Sequence, residues 1–193
     1  MLEGARVLVA TAPRAGEIAD AVGGRLRALG ARVERCDLEP GAPSAGEDAE
    51  AGVAADALGR LGGADLLVVD GAGLHAAADG EASLPAAMQA AWELTRTVAA
   101  EAMLGGEGGL VVLIAPPPGA GEHADAARAG LENLARTLSI EWARFATRAV
   151  AIAPGNATSP AELAELVAYL TSPAGAYFSG CQLDLRGARP SDD

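Results

Sequence analysis

Few residues in this chain could do chemistry. There are two histidines, His75 and His123, two cysteines, Cys36 and Cys181, two tyrosines, Tyr169 and Tyr177, and no lysine. His123, a residue type that changes charge near neutral pH, could in principle serve as an acid, but its neighbours Gly119 to Glu122 suggest a mobile approach to a helix instead. Asp70, His75 and Asp79 carry donor types suited to a divalent metal, but their spacing matches no ligand signature, so a solvated loop is expected and no metal is assigned. The cysteines lie far apart and form no C-x-x-C pair, which argues against a zinc knuckle or a disulfide framework and for a reducing compartment. Arg128 could hold a ribose, or equally pair with Glu132, four residues on along one helix face.

The elements that must position these groups follow from the apolar pattern. Strand-length runs at Val7–Ala10, Arg32–Cys36, Leu66–Val69, Leu110–Ile114, Ala149–Ile152 and Leu183–Leu185 alternate with helical patterns at Glu17–Leu29, Asp48–Leu61, Leu84–Met103, Ala124–Phe145 and Pro160–Leu170. The alternation predicts a doubly wound parallel α/β sheet of about six strands, covered on both faces. The longest helix carries Leu131, Leu134, Leu138 and Trp142 as one apolar stripe. Glu39 to Glu50 reads as a surface loop, and all 193 residues form a single domain with a flexible tail at 187–193.

Charge excludes some partners. Fourteen positive residues, all Arg, against 26 acidic ones give a net charge of -12, which disfavours nucleic acid and anionic membranes. No apolar run has the length of a spanning helix, and the start lacks a secretory h-region, so a cytoplasmic protein is expected.

The segment Ala129-Gly130-Leu131-Glu132-Asn133-Leu134-Ala135-Arg136-Thr137-Leu138, with Glu141-Trp142-Ala143 and Ala149-Val150-Ala151-Ile152-Ala153-Pro154-Gly155, resembles the fifth-to-sixth strand crossover of the short-chain dehydrogenases/reductases. Ala161–Pro173 and Tyr177–Leu185 are similar to that family's late helix and its "yxTGxxLxvD" segment, and with Ala64–Gly73, whose end retains half of the family's N-N-A-G, and the first two strands the resemblance covers nearly the whole chain. The resemblance implies a Rossmann-like fold and an NAD(H)-linked oxidoreductase ancestry.

It also implies degeneracy. The family's proton relay is a Tyr four residues before a Lys, whose ammonium lowers the phenol's pKa. The resemblance puts Ala124 and Arg128 at those positions, Ala115 near the substrate-binding Ser, and Ala87 near the relay Asn. The pyrophosphate loop, T-G-x-x-x-G-x-G in the family, here reads Thr11-Ala12-Pro13-Arg14-Ala15-Gly16-Glu17-Ile18. Pro13 lacks an N–H, and Glu17 puts a carboxylate at the helix end that phosphate would need; the alternative is that Glu17 points away and Arg14 pairs with phosphate. The resemblance marks Thr11, Gly16, Asp37, Ala72, Gly73, Pro154 and Gly155 as vestiges of a cofactor site, where Asp37 would hold ribose hydroxyls; equally, Asp37 is good turn chemistry after a strand and Ala72-Gly73 permits tight packing. The segment between Asp37 and Asp65 is too short for the family's third strand, and only Asn156–Pro160 stand where it inserts a substrate lid.

These features imply a non-catalytic structural or regulatory subunit, with no cofactor, or NAD(H) if any. It would pair with itself or with a catalytically complete paralogue through a bundle containing Trp92, Leu131, Leu138 and Trp142. The alternatives are an NAD(H)-dependent oxidoreductase with a non-standard site and a small-ligand-binding protein using the vacated cleft.

Overall fold

The computed structural model describes residues 2–41, 47–78 and 82–187. Six parallel strands form one sheet: β1 (Arg6–Thr11), β2 (Arg32–Asp37), β3 (Leu66–Asp70), β4 (Gly109–Ile114), β5 (Thr147–Ala153) and β6 (Gln182–Asp184), in the order β2-β1-β3-β4-β5-β6. The inner strands β1, β3, β4 and β5 are almost wholly apolar because helices cover both of their faces. Helices α1 (Glu17–Ala28) and α6 (Pro160–Thr171) cover one face, burying Val22, Leu26 and Val167 against Val9, Val68 and Ile152. Helices α2 (Glu47–Leu61), α4 (Ser83–Val98) and α5 (Ala124–Glu141) cover the other, burying Leu58, Leu94 and Leu138 against Leu8, Leu67 and Leu113.

The expected shortening is present. β2 is the sheet's edge, with no third strand beyond it among the described residues. Gly155–Thr158 closes a tight turn through Gly155 N donating to Thr158 Oγ1 (2.9 Å), and a capping box between Ser159 and Glu162 starts α6 at once, so no lid intervenes. No described helix is long and apolar enough to cross a membrane.

Three boundaries differ from the sequence reading. The chain after β3 forms a helix, α3 (Gly71–Ala77), because the Asp70 carboxylate accepts from Gly73 N and so caps it. The helix expected to reach Met103 leaves α-geometry at Val98 and closes with a π-turn, Ala99–Met103. That expected to reach Phe145 stops at Glu141, and a 3₁₀ turn, Ala143–Phe145, reverses the chain through Ala146 at φ 55. Part of the predicted Glu39–Glu50 loop, residues 42–46, and residues 188–193 of the tail lie outside the described residues, as does Asp79.

Candidate functional site

Strand order reverses between β1 and β3, and in such sheets ligands enter the crevice at the carboxyl ends of those strands. Here the crevice is bridged. Thr11 Oγ1 donates to Asp70 Oδ2 at 2.8 Å, both residues being buried, and Asp70 Oδ1 accepts from Gly73 N at 2.9 Å. Burial raises the Asp70 carboxyl above its ordinary value, against the lowering effect of these bonds. A Cβ on Gly73 would lie 2.7 Å from Asp70 Oδ2 and 2.8 Å from Thr11 Oγ1, so glycine is required there by packing alone. Half-buried Ala72 follows Gly71 on the same turn.

The residues at the start of α1 do not fit a dinucleotide. Ala15 N donates back to Ala12 O, closing the loop on itself, and Pro13 offers no donor. The Arg35 guanidinium lies against Gly16, where a Cβ would come within 2.6 Å of Nη1. It is held there by Asp20 (2.8 Å) and Asp37 (2.7 Å). Asp37 Oδ1 is thus engaged by Arg35 Nε. Glu17 and Asp20 occupy the first turn, where a pyrophosphate would need positive potential. Arg35 escaped the sequence reading, although its two-residue spacing from Asp37 on one strand face was a usable signal.

The positions that the resemblance aligns with the relay are all buried. Ala115 ends the run after β4 fully buried, Ala124 opens α5 at 3% exposure, and Ala87 sits on α4 at 5%. Arg128 does not pair with Glu132, which binds Arg136 instead at 2.6 Å. Arg128 turns inward: Nη1 donates to Pro116 O at 2.5 Å and Pro154 O at 3.0 Å, tying together the chain segments that leave β4 and β5. Its Nη2 is buried without a partner, and burial lowers its pKa, with nearby Arg186 adding to that effect. An i,i+4 reading missed this because both acceptors are distant backbone carbonyls. Gly155 completes the junction, since a Cβ there would approach Leu185 O to 2.9 Å.

The two histidines flank the same loop. His75 is buried on α3 with Nδ1 unpartnered, and Nε2 lies close to Gly121. His123 precedes α5 in the left-handed region (φ 63), 3.6 Å from Glu122. Among the described residues no three His, Cys, Asp or Glu side chains are grouped to hold a metal. Burial pushes the Cys36 thiol up to about 12, leaving it protonated and unreactive. A cavity of about 520 Å³ opens between Pro13, Arg14, Leu38, Glu39, Ala76 and Ala77.

The interface candidates divide. Leu131, Leu138 and Trp142 are buried in the chain's own core, contrary to their assignment to a shared bundle, whereas Trp92 is half-buried. The outward stripe of α5 is instead Ala126, Ala129, Asn133, Thr137 and Ile140, with Ile140 at 79% exposure.

No protein-family model matches the sequence. Among solved structures, the chain is similar to a short-chain dehydrogenase/reductase from Serratia marcescens, at 18% identity over 95% of this chain and 97% of that one, with a TM-score of 0.75. It is also similar to a hydroxysteroid dehydrogenase from Escherichia coli (19% identity, 97% and 98%, TM-score 0.73) and a citronellol catabolism dehydrogenase of Pseudomonas aeruginosa (22%, 95% and 93%, TM-score 0.73). At such identities the likeness is one of backbone architecture, and it agrees with the six-stranded parallel sheet described above: the chain has the fold of the short-chain dehydrogenases/reductases.

Proposed function

We propose that this chain is a catalytically degenerate member of the short-chain dehydrogenase/reductase family, acting as a non-catalytic structural or regulatory subunit of an oxidoreductase assembly. The observation that carries this reading is Arg128: the residue at the relay lysine's position spends its guanidinium on Pro116 O and Pro154 O. Neither Ala124 nor Ala115 carries a group that can move a proton. The uncharged outer stripe of α5, ending in exposed Ile140, supports assembly through α4 and α5 with a second copy or a complete paralogue. In a mixed oligomer the partner would supply the Tyr, the Lys and the NAD(H).

Two measurements test this together. Calorimetric titration with NADH should give no saturable heat, and co-expression with a complete paralogue should yield a mixed oligomer whose turnover differs from the paralogue's own. Micromolar NADH binding, or a monomer that leaves the paralogue's assembly and turnover unchanged, would overturn it. A second reading, small-ligand binding at the carboxyl end of the sheet, is favoured by the cavity beside Pro13 and Leu38.

A further inference from the structure

With no third strand beyond it among the described residues, β2 leaves a row of backbone groups unpaired on its outer side. Arg32 N donates to Ala5 O (2.8 Å) and Leu38 N to Thr11 O (2.9 Å), so the even-numbered residues of the strand turn their backbone groups toward β1. Alternation turns those of Val33, Arg35 and Asp37 outward. Val33 O accepts from Arg27 Nη2 at 3.1 Å. The backbone N–H and C=O of Arg35 and Asp37 make no hydrogen bond on that side among the described residues.

Such an edge is ordinarily blunted by lysine, proline, a bulge or a covering segment. The chain has no lysine, β2 has no proline, and its register against β1 runs unbroken from Arg6↔Arg32 to Thr11↔Asp37. The strand carries charges of both signs instead: Arg32, Glu34, Arg35 and Asp37. For a second copy adding antiparallel about a two-fold axis, outward groups must meet outward groups, and few registers are open. An axis at Val33, Glu34 or Arg35 calls on Val33 O, which Arg27 already holds, and at Glu34 or Arg35 it also sets like charges face to face. An axis at Asp37 opposes two carboxylates. An axis at Cys36 does neither. There Arg35 lies opposite the partner's Asp37 and Asp37 opposite the partner's Arg35, and each pair exchanges the N–H and C=O groups that the single chain leaves free. The residue at the axis is uncharged, and Val33 falls opposite Glu39, past the end of β2, so Arg27 keeps its acceptor.

We propose that β2 is a homodimer edge, two copies joining their sheets antiparallel across a two-fold axis at Cys36 through backbone bonds and reciprocal Arg35–Asp37 pairs. The side chains are already held on one face of the strand, Arg35 Nε on Asp37 Oδ1 (2.7 Å) and Nη1 on Asp20 (2.8 Å), and neither Arg35 nor Asp37 is buried. Their alternation along the strand makes the edge complementary to itself and repulsive to slipped registers. This surface is separate from α4 and α5 and does not rest on the assembly assigned to them.

The contact joins two short strands and belongs with the small interfaces that fill at high concentration, so the test follows the isotope-labelled full chain up to about 1 mM. Sedimentation should show mass rising with concentration, and hydrogen exchange at the Arg35 and Asp37 amides should slow in step with it. Asp37→Arg sets like charges opposite each other and should weaken this association about tenfold, as expected for reversing the cross-strand pairs. Asp37→Pro removes an N–H that has no bond within the chain and should abolish the slowing at Arg35, with the melting temperature retained in both variants. Ile140→Glu, on α5, should leave exchange at Arg35 and Asp37 unchanged, which separates this contact from any made by the helices. The proposal is overturned by a monomer at every concentration, by exchange at these amides that does not vary with concentration, or by slowing that is undiminished in a folded Asp37→Pro or Asp37→Arg protein.

Discussion

Replacing Arg128 with Met tests whether the guanidinium is the tie that joins the ends of β4 and β5. The substitution removes two charge-assisted bonds, each contributing about 1.5 to 3 kcal/mol, and leaves the buried carbonyls of Pro116 and Pro154 without a donor. Against that gross loss of about 3 to 6 kcal/mol stands the release of a buried charge whose Nη2 has no partner, worth several kcal/mol. The thioether also keeps most of the side chain's packing volume. The net expectation is a destabilisation of about 2 kcal/mol, or about 4 to 8 °C in melting temperature for a domain of this size. Urea unfolding followed by the fluorescence of Trp142, which lies in the core, and of Trp92 measures it. Arg128→Lys keeps the charge but loses the fork, and should fall between wild type and Met. A Met variant as stable as wild type would mean that the desolvation penalty cancels both bonds, and the tie would be refuted.

Other outcomes follow from the same contacts. Asp70→Asn should keep the cap to Gly73 and remove a titrating group. Because burial raises the folded-state value above 3.8, the folded protein binds more protons in that window and wild-type stability falls as pH rises through it. The Asn variant should lose that slope in melts across acidic to neutral pH. Gly73→Ala should cost about 1 to 3 kcal/mol, since its Cβ would enter the Thr11–Asp70 contact, and a neutral result in the same melts would show that the loop yields freely. Ile140→Glu, on the exposed stripe of α5, should lower the mass seen by light scattering without changing the melting temperature, and an unchanged mass would remove α5 from the interface.

The sheet was legible because its inner strands, such as Leu66–Asp70, read as unbroken apolar runs between helical stripes. The stripe Leu131, Leu134, Leu138 likewise marked the inner face of α5. α3 was illegible because Gly71-Ala72-Gly73 has poor helix propensity, and only a side-chain cap from Asp70 supports it. At the candidate site the chemistry of Ala12, Pro13, Glu17, Ala115 and Ala124 could be read directly from their types. The partners of the charged groups around them could not. Arg35 reaches Gly16 and Asp20 across a strand–helix contact, and Arg128 reaches carbonyls 12 and 26 residues away. Pairings of that kind exist only once the chain has folded.

The Asp20–Arg35–Asp37 cluster also bears on how the start of α1 could be re-engineered. Glycine in place of Ala12 or Pro13 would leave the guanidinium still lying on Gly16. Removing Arg35 first would strand Asp20 and Asp37, two carboxylates near the start of a helix that already begins with Glu17, and make the place more hostile to a diphosphate than before. Neither of these changes alone therefore clears this helix start for a diphosphate, because Arg35 and its two carboxylates occupy it as a unit.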